Sequence, residues 1–278
     1  MTRVVRRLAA AALGAALGLV CLNPLRAQHA PVPDRAYAAY QTGFYLRAMQ
    51  EATARINADP ADAAAMTLLG EIYRQGLGVP PDITKALDWY RIAHGKGDAN
   101  ASFALAMALL KGEGVAKDPA RGRALLEDAA PRQPLAAFNL ALLLLASGEA
   151  AERAKAIPLL ENAAVAEIAE AQHALAVLKL KGELTARDVE NAADLMRRAA
   201  QNGFEAAEIE YAILRFNGLG VGRDEKGAAD LFERVARRGN PIAQNRLARI
   251  ISAGRGRPKD PVEAAGWQVA EDGMEIVL

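Results

Sequence analysis

Small and large apolar residues alternate along this chain in a pattern that returns about every 36 residues. Alanine or glycine falls at Ala65, Ala101, Ala136, Ala171, Ala207 and Ala243, and again five residues on at Gly70, Ala106, Ala141, Ala176, Ala212 and Ala248. Between them stand Leu69, Leu105, Leu140, Leu175, Tyr211 and Leu247. Offsets of four and five place these residues on one face of a helix. Each unit then carries a second apolar run, with Trp89, Leu125, Leu159, Leu195, Leu231 and Trp267 in one column and Tyr90, Leu126, Leu160, Met196 and Phe232 in the next. Ala93, Ala129, Ala163, Ala199 and Val235 follow on the same face. The pattern predicts two helices per unit, the small residues admitting a neighbouring helix and the large ones filling the space between turns. A repeat of this length governs the whole architecture.

Polar punctuation agrees with the period. Gly76-Leu77-Gly78-Val79, Gly112-Glu113-Gly114-Val115, Gly182-Glu183-Leu184, Gly218-Leu219-Gly220-Val221 and Gly254-Arg255-Gly256 each precede an aspartate: Asp82, Asp118, Asp188, Asp224 and Asp260. Glycine just past a helix accepts the left-handed conformation, and aspartate caps the start of the next helix. Pro119 and Pro261 follow their aspartates at the first helical position, where proline is favoured. The third unit departs from the rule. Its first helix comes 35 residues after the second unit's and its second helix 34, and Ser147-Gly148-Glu149-Ala150-Ala151-Glu152 replaces the turn, so the array is expected to bend or loosen there.

Composition reinforces the helical reading, since alanine carries most of the 52% apolar share and aromatics make up only 5%, which suits close-packed helices over sheets. Residues 1–27 read as a secretory signal, with Arg3, Arg6 and Arg7 before an uncharged run over residues 8–22 and cleavage expected after Ala27. That run is shorter than the roughly 20 residues a membrane span needs. The basic start also fits half of a twin-arginine signal, and the sole cysteine, Cys21, lies inside the segment with Val20 before it, a poor setting for lipidation. Loss of the signal removes four of 34 basic residues and none of 33 acidic ones, leaving a slightly acidic chain with no general attraction for nucleic acid or anionic membrane.

Ala63-Ala64-Ala65-Met66-Thr67-Leu68-Leu69-Gly70-Glu71-Ile72-Tyr73, followed by the turn at Gly76 and by Asp82, Lys85-Ala86-Leu87-Asp88-Trp89-Tyr90, resembles the Sel1-like repeat, a relative of the tetratricopeptide repeat. The resemblance implies an all-α fold, a right-handed α/α superhelical solenoid of helix-turn-helix units. The expected organisation is a signal over 1–27, a linker and capping hairpin over 28–60 and six repeats over 61–273, with bounds near 61–98, 99–133, 134–167, 168–203, 204–240 and 241–273. A tail over 274–278 follows. The hairpin, broken at Gly43, covers the first apolar face, while Glu271 and Asp272, standing where earlier units are apolar, close the other end.

In arrays of this kind the first helices line a concave groove, and the resemblance maps its positions here. The first unit offers Thr67, Glu71 and Arg74; the middle units offer Phe103, Met107 and Leu110, Phe138, Leu142 and Leu145, His173, Val177 and Leu180, and Ile209, Ile213 and Phe216; the last offers Asn245, Arg249 and Ser252. The expected groove is apolar in the middle and polar at both ends, suited to an amphipathic helix or an extended apolar peptide. The competing reading packs these side chains between repeats.

Chemistry is sparse. His29, His94 and His173 stand apart, without the spacing of a zinc site, and the glycine turns follow helices where a phosphate loop would follow a strand. No catalytic, cofactor or metal residue is assigned. His94 replaces a small residue late in a second helix and is expected to be absorbed by packing. The resemblance implies an exported, non-catalytic scaffold or regulator in the periplasm or outside the cell. Its partner would be a protein or peptide such as a membrane sensor or envelope protein, with neither nucleic acid nor membrane insertion involved. Two alternatives are kept: a homodimer through the apolar groove, and cell-wall or β-lactam chemistry of the cysteine-rich relatives, whose paired cysteines this chain lacks.

Overall fold

The computed structural model describes residues 34–268, which form fifteen helices and no strand. The signal, Cys21, His29, the acidic closing residues Glu271 and Asp272, and the tail over 274–278 lie outside the described residues. The helices form a right-handed α/α superhelical solenoid. A hairpin of α1 (Arg35–Gln41) and α2 (Tyr45–Ala58) packs on the first unit, burying Ala36, Ala48 and Ala52 with Leu69 and Ile72. The units are α3 (Ala63–Gln75) with α4 (Ile83–Gly95), α5 (Ala99–Lys111) with α6 (Pro119–Ala129), and α7 (Pro134–Leu145) with α8 (Ala150–Ala154) and α9 (Ala156–Val165). They continue as α10 (Ala169–Lys181) with α11 (Val189–Gln201), α12 (Glu205–Asn217) with α13 (Glu225–Arg237), and α14 (Pro241–Ala253) with α15 (Pro261–Trp267).

Turn chemistry sets the helix ends. Gly76, Gly112, Gly182, Gly218 and Gly254 close the first helices in the left-handed conformation. Asp82, Asp118, Asp188 and Asp224 each accept a hydrogen bond from the backbone N–H three residues on, satisfying one donor of the exposed helix start. The alanine columns are almost wholly buried, as are Tyr90, Leu126, Leu160, Met196 and Phe232. Gly70 is the one non-alanine in its column for a visible reason: a Cβ there would lie 2.5 Å from the Tyr90 ring, the bulkier counterpart of Leu126 and Leu160.

A second set of contacts ties each unit to the next. Gln172 Nε2 donates to the Ala164 carbonyl and Gln244 Nε2 to the Ala236 carbonyl, both at 3.1 Å, pairing the last turn of one second helix with the following first helix. Ser102 holds the corresponding place in α5, where its Oγ lies 2.8 Å from His94 Nδ1. His94 is thereby absorbed into the packing between units.

The third unit does not loosen. The largest apolar cluster runs without a break from Ala106 through Leu140, Leu144 and Leu160 to Leu214. What changes is the second helix, split into α8 and α9. Pro158 has no N–H to give the Ala154 carbonyl, and its ring crowds that carbonyl, so α8 ends at Ala154. Arg123–Glu152 and Arg153–Glu183 ion pairs clip the short α8 to the units on either side.

Candidate functional site

The first-helix face is built from α3, α5, α7, α10, α12 and α14, and its mapped residues meet three different fates. In the first unit they are committed to structure. The Thr67 hydroxyl shares its one proton between the Ala63 carbonyl at 3.0 Å and Asp98 Oδ1 at 2.9 Å, and Asp98 caps α5. Glu71 accepts from Arg74 at 2.6 and 3.1 Å and from Tyr90 Oη at 2.8 Å, while Gln75 bridges Glu71 to Tyr40 Oη. Burial would raise the Glu71 pKa, but hydrogen bonds from Arg74, Gln75 and Tyr90 outweigh it and hold the carboxyl below its usual range. Burial, with the Glu71 charge behind it, pushes the Tyr90 phenol well up. Glu71 and Arg74 are thus partners of each other, and this end of the face offers a ligand little net charge.

The middle is apolar but only partly open. Phe103, Met107, Leu110, Phe138, Leu145, His173, Val177, Leu180, Ile213 and Phe216 are half-buried. Leu110 lies over Gly122 of α6, whose Cβ, if present, would be 2.7 Å from the leucine Cγ. His173 turns its ring edge toward Phe204, with centroids 5.0 Å apart, and brings Nε2 to 3.3 Å from Glu210 Oε2. Ile209, mapped as a groove residue, is 7% exposed and packs with Phe232 and Leu247, so it cannot meet a ligand; the winding of the array brings the next unit over it. The open place is Leu142 on α7, which is 44% exposed.

The last unit differs again. Asn245 is half-buried, while Arg249 and Ser252 are exposed. Between α12 and α14 opens a cleft of about 300 Å³ with an apolar floor of Ile213, Phe216, Phe232 and Ile250, and with Arg246, Arg249 and Arg255 around it. The Arg255 guanidinium lies 4.2 Å from the Phe216 ring centroid and is paired with Glu225 at 2.6 Å. Ile213 and Phe216, expected in the apolar middle, and Arg249, expected at the polar end, line this one cleft together, whereas Arg246 and Arg255 were missed. Arg246 occupies a column that is Leu68, Ala104, Asn139, Ala174 and Glu210 in earlier units, a contrast visible in the aligned sequence. Among the described residues no group of three histidine, cysteine, aspartate or glutamate side chains is placed to hold a metal, and no helix is long and apolar enough to cross a membrane.

The family comparison follows the same phase. The Sel1 repeat pattern matches residues 63–97, 99–130, 169–204, 206–240 and 241–267, passing over the third unit. Among solved structures, a protective antigen of uropathogenic Escherichia coli strains with an SLR fold is 25% identical with a TM-score of 0.68, over 79% of this chain and 47% of that one. A Sel1 repeat protein from Oxalobacter formigenes is 23% identical with a TM-score of 0.66, over 85% of this chain and 96% of that one. The chain therefore spans less than half the length of the first and nearly all of the second. No curated protein matches it in sequence.

Proposed function

The chain belongs to the Sel1 repeat family, whose repeats commonly mediate protein–protein interaction, and on that footing we propose that it is a periplasmic, non-catalytic scaffold that holds a protein or peptide partner against its first helices. The observation that carries this reading is the apolar row across those helices, most open at Leu142 on α7 and flanked by the half-buried Met107 and Val177. Covering the exposed part of Leu142 would contribute about 1 kcal/mol. Micromolar binding needs about 8 kcal/mol. A partner must accordingly run along several units, as an elongated face with few deep pockets allows. The basic start and uncharged run within residues 1–27 support export.

The test is capture from periplasmic and solubilised membrane extracts by the mature protein, beside a Met107→Glu/Leu142→Glu form whose circular dichroism is unchanged. A partner held by the first and lost from the second supports the reading. A partner held equally by both moves the binding surface off these helices, and a concentration-dependent mass with no captured partner replaces the scaffold with a self-associating protein.

A further inference from the structure

The two ends of the first-helix face differ in a way that names a ligand chemistry. In the last two units most arginines have an acidic partner: Arg215 with Asp224, Arg223 with Glu225, Arg237 with Glu233, Arg238 with Glu205 and Glu208, Arg255 with Glu225, and Arg257 with Asp230 and Glu233. Arg234, Arg246 and Arg249 are exceptions, and the last two face the cleft between α12 and α14. Arg246 is half-buried there, its stem against the apolar floor and its charge without an acidic partner. The nearby Arg255 is already committed to Glu225 and to the Phe216 face. Apolar floor and uncompensated positive rim occur together at this junction only through Arg246 and Arg249, whose columns earlier in the array read Ala174 and Val177, or Glu210 and Ile213.

We infer that this cleft is a subsite for an acidic protein segment bearing one large apolar side chain. The apolar group sits on Ile213, Phe216 and Ile250, and adjacent carboxylates are bound by Arg246 and Arg249. A guanidinium matches a carboxylate in paired hydrogen bonds. The cleft volume of about 300 Å³ accommodates a single phenylalanine-sized side chain with part of its backbone. The inference rests on the scaffold reading, for which it supplies the partner's charge and a point of anchorage.

The experiment uses three fluorescein-labelled pentapeptides, Glu-Glu-Phe-Glu-Glu, Lys-Lys-Phe-Lys-Lys and Glu-Glu-Ala-Glu-Glu, titrated with the mature protein by fluorescence anisotropy. The first should bind about tenfold more tightly than either of the others and weaken as salt rises. Arg246→Gln/Arg249→Gln should reduce its affinity about tenfold, whereas Arg121→Gln/Arg187→Gln, which changes two surface arginines outside the cleft, should leave it unaltered. Equal binding of the three peptides, no binding of the first, or unchanged affinity in the Arg246/Arg249 variant overturns the inference. If affinity survives that variant but is lost in Met107→Glu/Leu142→Glu, the scaffold reading stands and the subsite falls.

Discussion

Where the fifth unit turns from its first helix to its second, Gly220 has φ 68°, and a Cβ there would lie 2.0 Å from the Val189 carbonyl oxygen of the preceding unit. One unit earlier the same place holds Leu184, at φ 62°, with its side chain packed on the main apolar cluster. The two turns share a backbone path but not a neighbour. Gly220 is pressed by the straight start of α11, whereas Leu184 follows the third unit, whose second helix opens with the short α8 and breaks before α9. A similar exchange occurs at the other connection. Gly97, Gly203 and Gly239 take positive φ between second and first helices, but after α9 the residue is Glu167, at φ 61°. A repeat unit can therefore lose its glycines when its neighbour yields space or its own side chain supplies compensating bonds.

The largest expected effect breaks the regular turn. Gly220→Ala imposes a left-handed conformation on a residue with a Cβ and drives that carbon into a carbonyl, a destabilisation of about 2–4 kcal/mol. Leu184→Gly restores the regular turn, trading relief of backbone strain against lost packing, and should change stability by less than about 1 kcal/mol. Urea unfolding of both variants checks the contrast. Equal losses would mean that the preceding helix is irrelevant to the turn. Because contacts run between neighbouring units, hydrogen exchange in Gly220→Ala should quicken mainly in the last three units.

A smaller effect concerns the break itself. Lys155, between α8 and α9, already has helical angles, φ −66° and ψ −15°. Pro158→Ala would restore the missing donor toward Ala154 and let the two helices join, raising stability by about 1 kcal/mol, less than the full cost of proline in a helix because the chain has already adjusted. A lowered melting temperature would show that the break is required by the clips of α8 to its neighbours, Arg123–Glu152 and Arg153–Glu183.

These contrasts also show what the sequence could tell. Columns such as Ala101 and Leu126, the capping aspartates and the glycine turns announced the fold because each is a local rule repeated with one period. The irregularity at Ser147 was visible too, but its outcome was not, since the expected loosening depended on whether Leu140, Leu144 and Leu160 would still fill the space between helices, and they do. The face was harder to read. Ile209 and Ile213 differ by one helical turn, yet one is covered by the next unit and the other lines the cleft, a difference set by the winding between units. Glu71 looks like a ligand contact in sequence because the Tyr90 that engages it lies on the next helix.

The smallest effect tests how Glu167 holds a conformation that glycine holds elsewhere. Its carboxylate accepts from Arg198, from Gln172 at 2.8 Å and from Asn202 at 3.0 Å, and these bonds, the Arg198 bond foremost, lower its pKa from the usual 4.5 to about 2. Glu167→Ala keeps the backbone strain and loses the bonds, whereas Glu167→Gly loses the bonds but removes the strain, so Ala should melt at the lower temperature of the two. The acid dependence has a definite sign. A carboxylate whose folded pKa lies below its unfolded value contributes stability above the unfolded pKa and loses it as pH falls through the folded one. The gap in melting temperature between the native protein and Glu167→Gly should thus shift against the native protein as pH is lowered from about 5 toward 2. A gap that stays constant over that interval would mean that water, and not Arg198, Gln172 and Asn202, satisfies the carboxylate, leaving the left-handed glutamate without the compensation that distinguishes this turn from its glycine counterparts.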